Sequence, residues 1–144
     1  NVSCVAQAVD WIPESLFQIL TAAYRHRGFS FVRILQRCPE FVGNMFEPWV
    51  HDPQRMLMLT HADGIRVSPA LQKIYRNQLP HDPADINRAR EIASSEDPIP
   101  VGILYRNPEV PCYEDLRGAG KLRTADQVRG ALDAELDKFT VWPQ

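Results

Sequence analysis

The sequence predicts an α/β protein organised around a parallel β-α-β unit. Residues 2–6 and 29–35 are β-prone runs, and between them residues 13–27 carry apolar side chains at helical spacing. The second run is apolar almost throughout, interrupted by Ser30 and Arg33, as suits a strand with helices on both faces of a parallel sheet. A third strand-like run, residues 99–105, returns late in the chain.

The first strand, over residues 2–6, starts with no preceding loop and no initiator methionine, so the chain reads as beginning inside a larger domain. Pro13 suits a first helical turn, where its missing N–H would have no partner, and Glu14 favours the positive end of the helix dipole. Leu16, Leu20 and Ala23, with Phe17 and Tyr24 alongside, make one apolar face. Gly28 can stop the helix in the left-handed conformation, and the crossover into residues 29–35 should be right-handed.

From Pro39 to Gly64 the chain is punctuated by Gly43, Pro48 and Pro53, with Phe41, Phe46 and Trp49 expected to pack on something. Met56-Leu57-Met58-Leu59 fits a short strand or a turn of helix, and periodicity leaves both open. Residues 69–79 are a helix candidate. Asp82-Pro83 can open another, with Ile86, Ala89 and Ile92 or Ala93 facing inward. Pro100 argues that the strand at 99–105 lies at a sheet edge or that Pro100 sits at a strand start.

An irregular segment runs through Gly120. Thr124 and Gln127 then form a capping-box pair for a last helix, whose Val128, Leu132, Leu136 and Phe139 trace an apolar stripe. Two regions result: residues 1–39, a βαβ unit, and residues 40–144, a proline-rich extension with an edge strand and a final amphipathic helix, suited to a subunit interface.

With 144 residues and 44% hydrophobic content the chain can bury a core. A net charge of -2, from 16 Lys and Arg against 18 Asp and Glu, gives no electrostatic reason to expect nucleic acid or an anionic membrane as partner. No segment has the length and apolarity of a membrane span, and the start lacks the pattern of a signal peptide. Three widely spaced cysteines, Cys4, Cys38 and Cys112, fit a reducing cytoplasm better than a secreted disulfide scaffold.

The chemistry concentrates at Cys38, just past the carboxyl end of the second strand, where open α/β sheets bind ligands. Followed by Pro39, which fixes the backbone, a thiolate there can ligate a soft metal centre. Packing as a small hydrophobe and nucleophilic attack assisted by a histidine, with His61 as best partner, stay open. The four histidines and three cysteines offer no paired zinc spacing. No G-x-S-x-G, Walker loop, dinucleotide fingerprint or H-E-x-x-H is present. Glu96-Asp97 and Glu114-Asp115 read as solvated, and Arg88, Arg90, Lys121 and Arg123 as a solvent face or as contacts with another polypeptide.

His-Arg-Gly-Phe-Ser-Phe-Val at 26–32, Leu-Gln-Arg-Cys-Pro at 35–39 and Ile-Pro-Val-Gly-Ile-Leu-Tyr at 99–105 occur in that order. Together they resemble the carboxyl-terminal half of the thiamine-diphosphate-binding beta subunit of 2-oxoacid:ferredoxin oxidoreductases. The resemblance spans residues 2–113 and implies the final βαβ of a thiamine-binding parallel-sheet fold. It implies oxidative decarboxylation of a 2-oxoacid, 2-oxoglutarate by preference, with coenzyme A taking the acyl group and ferredoxin the electrons.

The same resemblance implies thiamine diphosphate, Mg2+ and a 4Fe-4S cluster as cofactors, Cys38 as the last of four cluster cysteines, and an alpha subunit as partner. The other three cysteines and the Gly-Asp-Gly segment that holds magnesium and diphosphate are not in this sequence, so the chain alone is expected to be inactive. Cys4 and Cys112 match no family ligand and are assigned to packing or surface. The alternatives are a structural or protein-interaction module with Cys38 in its core, and a pyruvate-type or cluster-free thiamine enzyme.

Overall fold

The computed structural model describes residues 2–41, 43–62, 66–118 and 124–139. The chain folds as two compact units, Asn1–Cys112 and Tyr113–Gln144. In the first, strands β1 (Cys4–Val9), β2 (Ser30–Leu35), β3 (Met56–Thr60), β4 (Gln78–Pro80) and β5 (Ile99–Arg106) form one mixed sheet in the order β2-β1-β5-β3-β4. β1 and β2 are parallel, β3 is parallel to both β4 and β5, and β5 is antiparallel to β1. Strands from both sides of residue 39 therefore share one sheet.

The expected βαβ unit is present, with β1 and β2 joined by helix α1 (Pro13–Arg25). β1 begins later than residue 2 and extends to Val9, because Gln7, polar in the sequence, is buried and donates from Nε2 to the carbonyl of Pro100 at 2.8 Å. The buried side of α1 follows Ile12, Ser15 and Ile19, while Phe17, Leu20 and Tyr24 are exposed, Tyr24 by 90%. The anticipated Leu16–Leu20–Ala23 face is thus rotated: the sheet takes the stripe one position away from Leu20.

Gly28 does not adopt the left-handed helical stop; its φ of +144° serves a close approach instead, since a β-carbon there would stand 2.4 Å from Ser3 Oγ. β2 lies at the sheet edge, and the expected cover on both faces is incomplete among the described residues, with Phe31 53% exposed.

Met56-Leu57-Met58-Leu59 is a strand, its Met56, Met58 and Leu59 buried. Residues 69–79 divide into helix α3 (Pro69–Ile74), capped by Ser68, and strand β4; a short helix α2 (Glu47–His51) and a 3-10 turn (Pro53–Arg55) precede them. Helix α4 (Ile86–Ala93) starts later than Asp82-Pro83. Asp85 is its cap, accepting from the N–H groups of Asn87 and Arg88, while Asp82 is spent on the N–H of Ala84.

β5 is not an edge strand: it is the centre of the sheet. Pro100 is tolerated because pairing with β1 begins only at Gly102, and the Pro100 carbonyl takes the Gln7 amide. A register shift opposite Val5 and Ala6 sets Tyr105 against Val5 and Ile103 against Ala6, a bulge at the antiparallel seam. The core joins Ala6, Ala8, Val9, Ile12 and Ile19 to Met56, Met58, Val101 and Ile103.

The second unit holds helices α5 (Tyr113–Leu116) and α6 (Ala125–Asp137). The capping box of Thr124 and Gln127 forms as expected, and Val128, Leu132, Leu136 and Phe139 are exposed along α6. Lys121, Arg123 and Gly120 lie outside the described residues. No helix among the described residues is long and apolar enough to cross a membrane.

Candidate functional site

Because β1 and β2 run the same way, the residues that follow them meet at one sheet edge. Asp10, directly after β1, donates its N–H to the carbonyl of Leu35. Its carboxylate takes the backbone N–H of Arg37 at 3.2 Å and the Arg37 Nε–H at 3.0 Å. One acid thus fixes both backbone and side chain of the residue before Cys38. Cys38 itself donates its N–H to the carbonyl of Gln36 at 3.0 Å; its thiol is free and half-buried.

The amino ends of β3 and β5 share this edge because those strands run opposite to β1. The Arg37 guanidinium lies 5.9 Å from the ring centre of Trp11, Trp11 is 5.6 Å from Phe46, and Phe46 is 6.2 Å from Trp49. Arg55 lies over Trp49, 4.7 Å from the ring centre, and pairs bidentately with Asp97, Nη2 to Oδ2 at 2.7 Å and Nε to Oδ1 at 3.1 Å. Trp49 Nε1 also donates to the same carboxylate, at 3.3 Å. The Arg55 hydrogen bonds hold the Asp97 carboxyl below its usual range, with desolvation opposing them as a smaller effect. Asp97, expected to be merely solvated, instead ties the amino end of β5 to the turn before β3. The Nε1 of Trp11 is buried without an acceptor among the described residues.

Cys38 stands where the sequence places it, at the carboxyl edge of the parallel pair. Among the described residues no group of three or more His, Cys, Asp or Glu could hold a metal ion. Cys4 opens β1 and pairs with Ser30 and Arg106, so the strand alone separates it from the Cys38 edge by about 17 Å. Burial pushes the Cys4 thiol up, against smaller opposing effects from Ser30 and Arg106, as suits a packed core cysteine. Cys112 follows β5, whose carboxyl end lies at the opposite edge from Cys38. The donor set of this chain therefore fits a cluster only as one thiolate of four.

His61 does not serve as base to a Cys38 nucleophile. β3 is antiparallel to β1 and β2, so its carboxyl end, with His61 beyond it, lies at the other edge. His61 is buried, accepts the Ile103 N–H at Nε2 (3.3 Å) and donates from Nδ1 to the His81 carbonyl (3.0 Å). Both ring nitrogens are committed to backbone, which fixes the neutral tautomer. Asp10 and Arg37 were not singled out from the sequence, although the βαβ reading contains the signal: it brings the residue after β1 beside those after β2.

Comparisons with known proteins give similarity in two places. Residues 70–120 match the family that describes the C-terminal part of the pyruvate ferredoxin oxidoreductase beta subunit. Over 116 residues the chain is 26% identical to the 2-oxoacid:ferredoxin oxidoreductase subunit beta of a Sulfolobus species, covering 77% of this chain and 34% of that protein. Over 115 residues it is 29% identical to 2-oxoacid:ferredoxin oxidoreductase 2, subunit beta, of Aeropyrum pernix, covering 77% and 33%. The chain spans about a third of the length of the curated relatives it matches. No solved structure matches it.

Proposed function

We propose that this chain is the carboxyl-terminal part of the beta subunit of a 2-oxoacid:ferredoxin oxidoreductase, completed by upstream sequence and an alpha subunit. The observation that carries the reading is the agreement of two similarities: the family match over residues 70–120 and two beta-subunit relatives over 77% of the chain. The braced position of Cys38 at the carboxyl edge of β1 and β2 supports it from the geometry.

In this reading a 2-oxoacid loses carbon dioxide, its acyl group passes to coenzyme A, and the released electrons reduce ferredoxin. Thiamine diphosphate with Mg2+ supplies the carbanion chemistry and a 4Fe-4S cluster the electron path. Cys38 contributes one cluster thiolate, held in place by the Asp10–Arg37 brace. The thiamine-binding sheet is completed by chain upstream of β1, and the compartment is the reducing cytoplasm. The reading takes 2-oxoglutarate as substrate, on the resemblance alone, with pyruvate, the acid named in the description of the matching family, as the alternative.

The test is anaerobic purification of the full-length protein with any accompanying subunit, followed by assay of iron, acid-labile sulfide, thiamine diphosphate and coenzyme A-dependent ferredoxin reduction with each 2-oxoacid. Equal iron and sulfide, bound thiamine and a second polypeptide are expected. A colourless single chain without thiamine overturns the reading. Cys38→Ser in the complete enzyme should lower cluster content with the fold intact, because a hydroxyl is a harder ligand; full iron content and ferredoxin reduction would return Cys38 to a structural role.

A further inference from the structure

Helix α6 carries its large apolar residues in one row at four-residue spacing, Val128, Leu132 and Leu136, continued by Phe139 past its last turn, and each of these residues is more than half exposed. Its capping box secures only the start of the helix. A helix of 13 residues is marginal in water without a surface against which to pack its apolar face, so this row calls for a cover. Charge follows the row on both sides. Arg129 and Asp133 lie along one flank, while the other presents Ala131 and Glu135, the latter paired with Lys138 at 2.6 Å.

We propose that α6 pairs with α6 of a second copy of this chain, antiparallel, about a two-fold axis at Leu132. Reversing the helix about Leu132 exchanges Val128 with Leu136, so the apolar row is its own complement, as an isologous contact requires. In an antiparallel two-fold pair each flank meets the same flank of the other copy. Arg129 of each copy then stands beside Asp133 of the other, and two such pairs straddle the axis. Asp126 and Asp137 are turned roughly 120–140° from Leu132, away from the seam. A parallel pair would set opposite flanks together and face Asp133 with Glu135, a like-charge contact that disfavours it. The helix is roughly 20 Å long, so the contact is small and joins copies within a larger assembly instead of holding two chains by itself. The pairing is independent of the proposed enzyme, since α6 starts beyond the residues 70–120 that match the family.

The experiment is disulfide trapping with diamide in the full-length protein, purified anaerobically with any accompanying subunit, each link being located by peptide mass spectrometry. Leu132→Cys should link to the same position of a second copy at least tenfold faster than Ala134→Cys, which puts the thiol on the far side of the helix. With Val128→Cys and Leu136→Cys in one chain, position 128 should link to position 136 of another copy. The two positions are about 12 Å apart along one helix, too far for a link within it. Arg129→Glu should slow Leu132→Cys linking at least fivefold, and adding Asp133→Arg should restore it. The proposal is overturned if Leu132→Cys links no faster than Ala134→Cys, if position 128 links to itself as in a parallel pair, or if the charge changes leave the rate unaltered. Resistance of the Leu132→Cys thiol to alkylation without linking, the sign of cover by another segment or subunit, overturns it equally.

Discussion

Gly102 passes so close to Leu59 that a β-carbon at position 102 would stand 2.7 Å from the Leu59 β-carbon and 3.3 Å from its carbonyl oxygen. The contact lies in the middle of the sheet, where Gly102 also pairs with Gln7 of β1 and holds a φ of +141°, a region that side chains avoid. Gly102→Ala therefore combines backbone strain with overpacking against backbone that cannot move aside. The expected loss is about 2–4 kcal/mol, read by chemical denaturation. A loss below about 0.5 kcal/mol, the range of a neutral surface change, would contradict the close approach.

His61 predicts a second stability effect. Its ring links the chain just past β3 and β4 to the interior of β5 by accepting from Ile103 and donating to the His81 carbonyl, with the His61 and His81 rings 5.9 Å apart. His61→Ala would leave a buried backbone donor and acceptor unpaired, at about 1–3 kcal/mol for each group. The protein should lose stability by equilibrium unfolding while the reactivity of the Cys38 thiol toward alkylating agents stays unchanged, since the two residues sit at opposite edges. A change in Cys38 reactivity without loss of stability would instead restore a link between them.

The contrast between these residues shows what the sequence carried. The position of Cys38 just past β2 is legible in the sequence because a βαβ unit fixes where the chain leaves its second strand, and Pro13 and the apolar run after Gly28 signal that unit. The strand character of β5 is legible, but Pro100 leaves a sheet edge and a strand start both open; Pro100 sits at the strand start of a central strand, and only the structure shows that the amide of Gln7, 93 residues away, meets its carbonyl. β4 spans three residues and carries no period of its own. Asp97 and Arg55 are 42 residues apart and each looks solvated alone; their pairing follows from β3 and β5 being neighbours, which no local pattern encodes.

That pairing gives a pH prediction. The Asp97 carboxyl is held below its ordinary value of 3.8, chiefly by hydrogen bonds from Arg55. A depressed acid contributes stability that is fully present above 3.8 and lost as pH falls through the lower folded value, because the unfolded chain takes up the proton first. The stability difference between wild type and Asp97→Asn should be constant above that value and shrink below it. A difference that persists undiminished at the acid end would mean that Asp97 acts by shape and not by charge. Arg55→Met should abolish the same pH dependence, since it removes the first cause of the shift.

His26 responds in a different window and with the same sign. Burial first, and the Arg106 charge second, lower its pKa from 6.5, while Ser3 Oγ lies 2.8 Å from Nε2. Above 6.5 the imidazole is neutral in both folded and unfolded chains and contributes no pH dependence. Below it the unfolded chain gains a proton that the folded chain resists, so stability falls with pH until the folded value is reached. His26→Gln should flatten this part of the stability profile, and proton NMR of the His26 ring should give a midpoint below 6.5. Replacing Arg106 by Gln should move that midpoint back toward 6.5 only in part, because desolvation is the larger cause. A complete return would make the Arg106 charge, and not burial, the dominant influence on this imidazole.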